Sequence, residues 1–226
     1  MKELSARFTK LDSEAVKGIA LIMLLIHHLF YSVETIEGLT VIFSPLSEET
    51  AIGIAQAFKI CVPIFVFLSV YGITKQSDSQ LVSFKKSANR AFQLWANFLF
   101  IFIIAFIVSL FTNNPYGFPE NGILGVLCAI IDMFGMAELF HTPTMNPTWW
   151  YMTLAYTIVF ITPLFIKTYE KIGKYLILVF LFIPRLLGLN ALFTWYALTI
   201  VLAVVCAKNN IFERYIQSRV NMFLLI

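Results

Sequence analysis

Charge is what this chain has least of. Only 13% of its 226 residues are Asp, Glu, Lys or Arg, about half the usual share of a water-soluble domain. A surface so poor in charge cannot face water over most of its area, and no basic stripe of the kind that grips nucleic acid is present. Cysteine is scarce too. Cys61, Cys128 and Cys206 stand far apart inside apolar stretches, which excludes a disulfide framework and the paired spacing of a zinc site and leaves them as packing residues. No internal repeat, low-complexity tract or long Pro/Gly/Ser-rich linker divides the chain, so residues 1–226 are expected to form a single membrane-embedded domain.

Apolar residues make up 59% of the chain, with 23 phenylalanines, and their arrangement decides the fold class. They come in long blocks at 16–33, 51–74, 91–111, 148–166 and 189–207, close to the roughly 20 residues a helix needs to cross a hydrocarbon core of about 30 Å. Two weaker stretches lie at 122–140, which holds Asp132 and Glu138, and at 175–187. The blocks lack the alternation of a transmembrane barrel. The expected architecture is therefore all-α, a polytopic bundle of transmembrane helices with six or seven membrane segments in a lipid bilayer. No small-residue cleavage site follows the first block, which reads as an uncleaved anchor. After Arg219 the sequence Val-Asn-Met-Phe-Leu-Leu-Ile reads as the start of a further helix.

Basic residues gather in short cytoplasmic loops. Lys2, Arg7, Lys10 and Lys17 precede or open the first block; the loop 32–50 has no Lys or Arg, and Lys75, Lys85, Lys86 and Arg90 follow the second block. The expected orientation is that of a multi-pass protein of the cell membrane with its N-terminus on the cytoplasmic side. If 122–140 spans, Lys167, Lys171, Lys174, Lys208, Arg214 and Arg219 fall outside. If it is re-entrant or interfacial, all six return to the cytoplasm and only Arg185 is misplaced, the arrangement we favour.

The chemistry concentrates in the first helix. Lys17 and His28 are eleven positions apart, three helical turns plus about 20°, so they share a face with an axial separation of about 16 Å. That spacing puts Lys17 at the cytoplasmic rim and His28 near mid-bilayer, where an ionisable group marks a functional site and an imidazole can act as general base. The bland readings are that His27 and His28 merely bond neighbouring helices and that Lys17 is an orientation signal.

Lys17, ten residues and His28 resemble the N-terminal signature of the acyltransferase 3 family, membrane acyltransferases that include polysaccharide O-acetyltransferases. The segment Cys61-Val-Pro-Ile-Phe-Val-Phe-Leu-Ser69 resembles the family's Val-Pro-Leu-Phe-Phe-x-x-Ser-Gly, with Ser69 in the Ser position and Val70 where the family has Gly. Arg90 resembles the second basic residue of an Arg-x-x-Arg motif, whose partner position holds Ser87 beside Lys86, with Gln93 where Pro is common. Thr148-Trp149-Trp150-Tyr151-Met152 is similar to the family's aromatic start of a later helix. Family members usually have about ten spans, so this chain is expected to lack the last ones.

The resemblance implies transfer of an acetyl or other acyl group from cytoplasmic acetyl-CoA to a hydroxyl of an extracytoplasmic carbohydrate. Acetyl-CoA is a substrate, and neither a bound cofactor nor a metal is expected. His28 would deprotonate the acceptor and Lys17 would hold a CoA phosphate, with Arg90 and Lys86 assisting. Trp149 and Trp150 would stack on a sugar or form an interfacial belt. Ser69 would line a channel or bond a helix carbonyl, and Lys59 would snorkel to headgroups. Two other classes remain open: a transporter or channel lined by His28, Lys59, Asp132 and Glu138, and a non-catalytic assembly subunit.

Overall fold

The computed structural model describes residues 8–38, 40–77, 84–112, 116, 121–188 and 191–224. Lys2, Arg7 and Leu189, and the side chain of Arg219, lie outside that description. In chain order the helices are Lys10–Phe30 (α1), Glu48–Ala57 (α2), Cys61–Ser77 (α3), Phe84–Ser109 (α4), Gly122–Met133 (α5), Ala137–Phe140 (α6), Trp150–Ile172 (α7), Leu176–Leu186 (α8), Ala191–Lys208 (α9) and Ile211–Leu224 (α10). No strand occurs among the described residues. The chain is all-α, as its apolar blocks imply.

Among the described residues, four helical runs are long and apolar enough to cross a membrane: Lys10–Phe30, Glu48–Ser77, Phe84–Ser109 and Pro147–Leu186. A fifth is possible if α9 and α10, bent by 61°, count as one span. The expected six or seven segments are therefore not reached, for two reasons. The blocks at 148–166 and 175–187 fall in one helical run, and α5 has only 12 residues, about 18 Å against a core of about 30 Å. The weaker stretch 122–140 is broken where Gly135 takes a left-handed φ of 66°.

Two compact units divide the chain, Met1–Lys75 with Thr168–Ile226, and Gln76–Lys167. In the first, α1 is opened by a capping box. The Thr9 hydroxyl accepts from the Asp12 amide at 3.2 Å, and the Asp12 carboxylate accepts from the Thr9 amide at 2.8 Å, satisfying two donors that a helix start leaves unpaired. The helix packs along α2 with Ala20 and Ala55 both fully buried, small residues that let membrane helices approach closely. At the opposite end of α1 the Phe8 ring lies 5.6 Å from that of Tyr71. There the Lys75 ammonium pairs with Glu213 at 2.7 Å and with Asn210. Asn209 closes α9 by donating to the Val205 carbonyl at 2.8 Å and the Tyr169 hydroxyl at 2.7 Å.

The second unit is tied by side-chain hydrogen bonds to backbone. The Ser87 hydroxyl on α4 donates to the Val159 carbonyl on α7 at 3.0 Å. Thr153 donates to the Gly135 carbonyl at 3.0 Å. Asp132 is wholly buried and accepts from the Tyr116 hydroxyl at 2.6 Å, the Thr144 hydroxyl at 2.9 Å and the Met145 amide at 2.9 Å. Burial, followed by the bond to Asp132, pushes the Tyr116 hydroxyl above its usual range, so at neutral pH the phenol keeps its proton and donates it.

Candidate active site in the first membrane helix

Continuous helix from Lys10 to Phe30 preserves the shared face of Lys17 and His28, because no kink intervenes in the three turns between them. Both stand about 60–80° to one side of the line through Ala20 that α1 buries against its neighbours. Lys17 is accordingly half-buried and His28 exposed along the flank of the helix. Helix position differs from the sequence expectation. The Thr9–Asp12 cap starts α1 at Lys10 and the helix stops at Phe30, so His28 belongs to the last turn and Lys17 stands about 10 Å inside the start.

The adjacent histidines divide their tasks. His27 Nδ1 lies 2.8 Å from the Ala55 carbonyl, an acceptor only, so Nδ1 carries the proton and His27 joins α1 to α2. Nearby, Gln56 donates to the Tyr31 carbonyl at 3.1 Å and reinforces the same joint. His28 makes no hydrogen bond or ion pair among the described residues; its ring meets only His27, edge-on at 5.3 Å between centroids. One imidazole is spent on packing and the other is available.

The remaining expected site residues are spread over both units. Ser69 is half-buried on α3, in the same unit as Lys17 and His28. Arg90, Lys86, Trp149 and Trp150 belong to the other unit. There Arg90 donates to the Gln76 side chain at 2.7 Å, and Lys86 is exposed. Asn146 caps the turn that carries Trp149, its side-chain oxygen accepting from the Thr148 amide at 2.9 Å and hydroxyl at 2.8 Å. Trp149 packs against Phe98 at 4.9 Å and Phe102 at 5.9 Å, so its ring fills a phenylalanine cluster. Trp150 meets the Tyr151 ring at 6.1 Å.

Sequence reasoning missed two features of this region. The His27 bond depends on the register of α1 against α2, which no local pattern encodes. The position of Lys59 was legible: Pro63 stands four residues later and cannot donate to the Lys59 carbonyl, and the helix there tightens to a 3₁₀ turn at Phe58–Ile60.

Comparison with known sequences completes the picture. The family profile described as an acyltransferase domain, that of acyltransferase 3, matches residues 11–220, nearly the whole chain and α1 from its second residue on. The chain belongs to the acyltransferase 3 family. No curated protein and no solved structure matches it. As a member, the acyltransferase has an acyl donor and an acceptor, and its apolar helices suit a membrane protein. The spaced pair Lys17 and His28 and the segment 61–69 both lie within the matched region and within one unit of the acyltransferase.

Proposed function

We propose that this acyltransferase is an O-acetyltransferase that takes acetyl from cytoplasmic acetyl-CoA and places it on a hydroxyl of an extracytoplasmic glycan. The observation that carries the reading is the division between the two histidines, which leaves His28 with both ring nitrogens open while His27 holds the helix. A hydroxyl needs a base to become a nucleophile, and a neutral imidazole supplies one. In this reading the acceptor oxygen attacks the thioester carbonyl carbon and its proton passes to His28. The carbon–sulfur bond then breaks and the departing thiolate takes the proton back.

Lys17, on the same face and about 16 Å away, holds a CoA phosphate as a point charge at the inner mouth of the passage. Within the other unit, Arg90 and Lys86 are basic groups suited to a nucleotide phosphate. Trp149 and Trp150 are the aromatic candidates for the sugar, Trp149 being packed on Phe98 and Phe102 as well. Ser69 lines the passage. The N-terminus lies in the cytoplasm, the protein sits in the cell membrane, and it works without a bound cofactor because acetyl-CoA is consumed as substrate.

His28→Ala is expected to lower O-acetylation of total cell-surface glycan by about 100-fold or more at unchanged membrane abundance of the protein, read by mass spectrometry and NMR of glycan from cells with and without the chain. Retained acetylation removes His28 from the reaction.

A further inference from the structure

The two expected site residues leave a gap. About 16 Å of helix separates the Lys17 cation from the His28 base, yet the thioester carbonyl has to be held beside the base while negative charge develops on its oxygen. The neighbouring helix carries a cation at an intermediate height. Phe8 faces Tyr71 at one end of the pair and His27 faces Ala55 at the other, so α1 runs antiparallel to the Glu48–Ser77 run. In that register Pro63 comes level with Lys17. Lys59 stands about 6 Å above that level and about 6 Å below His27 along the helix axis.

Three further observations concern Lys59. The 3₁₀ turn that carries it packs against α1. Its direction is tied to that of Ala55, the residue whose carbonyl holds His27: four residues along a helix is about 40° of rotation, and about 80° where the last steps are 3₁₀. Its ammonium makes no ion pair among the described residues and is met only by the Trp195 ring at 5.8 Å, a partner that leaves all three N–H donors open to an anion. A lysine this far inside a 30-residue apolar run is expensive and marks function.

We propose that Lys59 is a third catalytic residue of the acyltransferase, whose ammonium stabilises the oxyanion formed on the acyl carbonyl when the acceptor hydroxyl adds to it. The inference rests on the O-acetyl transfer reading above. As the new carbon–oxygen bond forms, the carbonyl π pair moves onto oxygen and the proton goes to His28. The ammonium of Lys59, on its flexible four-carbon stem, neutralises that oxygen until the pair returns, the carbonyl re-forms and the thiolate departs. Lys59 is exposed at rest, so its ammonium is free to swing to the oxyanion, and a cation acts most strongly where charge appears only in the transition state.

The test uses membranes containing the full-length chain, radiolabelled acetyl-CoA as donor and the glycan of those membranes as acceptor. Lys59→Met is expected to lower kcat about 100-fold with KM for acetyl-CoA little changed, and Lys59→Arg to recover about a tenth of the activity. Removing a charge from an apolar helix favours insertion; should Lys59→Met nonetheless fail to accumulate, Lys59→Gln gives the same reading. An unchanged kcat in the uncharged variants overturns the assignment and leaves Lys59 as a cation packed on Trp195. Absence of label transfer by the unsubstituted chain overturns the O-acetyl transfer reading itself, and this inference with it.

Discussion

Two clusters of polar groups, one in each unit, are treated in opposite ways. In the unit of residues 76–167, the cluster around α5 and α7 is matched inward: the Asp132 carboxylate receives three donors, and the Ser87 and Thr153 hydroxyls each find a backbone carbonyl, although the Trp95 indole N–H and the Thr142 and Tyr156 hydroxyls of the same unit are buried without a hydrogen-bond partner among the described residues. In the unit of residues 1–75 and 168–226, Lys17, Lys59 and His28 lie along membrane helices with no hydrogen-bonding partner among the described residues. Satisfied buried groups rigidify a fold, whereas unsatisfied ionisable groups within an apolar helix are costly and persist where chemistry needs them. On the proposed reading, the contrast separates a structural half from a reactive half.

Asp132→Ala is the severest way to break the structural half. It removes the acceptor shared by the Tyr116 and Thr144 hydroxyls and the Met145 amide; Thr144 can still donate to the Asn146 carbonyl, and at about 1–3 kcal/mol for each lost bond of a buried donor about 3 kcal/mol of stability should be lost. A thermal melt of the detergent-solubilised protein reads it. A melt unchanged from the parent would show that Asp132 is not the tie between α5 and the 144–145 loop. A milder change sharpens the reactive half. Lys17→Gln removes one phosphate contact but no base, and should raise KM for acetyl-CoA about tenfold at nearly constant kcat, in steady-state assays. A fall in kcat alone would move Lys17 from donor binding to the chemical step.

Much of this was legible before any coordinates. Blocks of about 20 apolar residues mark the spans because length and hydropathy alone decide membrane crossing, and Asp132 and Gly135 announced that 122–140 would not run as one regular helix. The Thr9-x-x-Asp12 cap is also a sequence signal, and with it α1 starts at Lys10 and carries His28 in its last turn. The approach of 148–166 to 175–187 was hidden, because Lys167, Lys171 and Lys174 read as a loop, whereas α7 runs on through Lys167 and Lys171 to Ile172 and only a 3₁₀ turn, opened by Gly173 at φ 56°, separates it from α8. At the site, the spacing of Lys17 and His28 survives since it depends only on helical periodicity. Which histidine of the doublet is committed to packing is a tertiary fact, set by the approach of Ala55 to α1.

That division is tested most directly by substituting the two histidines one at a time and measuring, for each, acetyl transfer and thermal stability on the same preparation. His28→Leu should abolish transfer with the melting temperature held. His27→Leu should keep kcat within about threefold while losing about 1 kcal/mol of stability, the scale of one interhelical hydrogen bond in a membrane protein. The opposite pattern, with transfer lost in His27→Leu and kept in His28→Leu, would contradict the account.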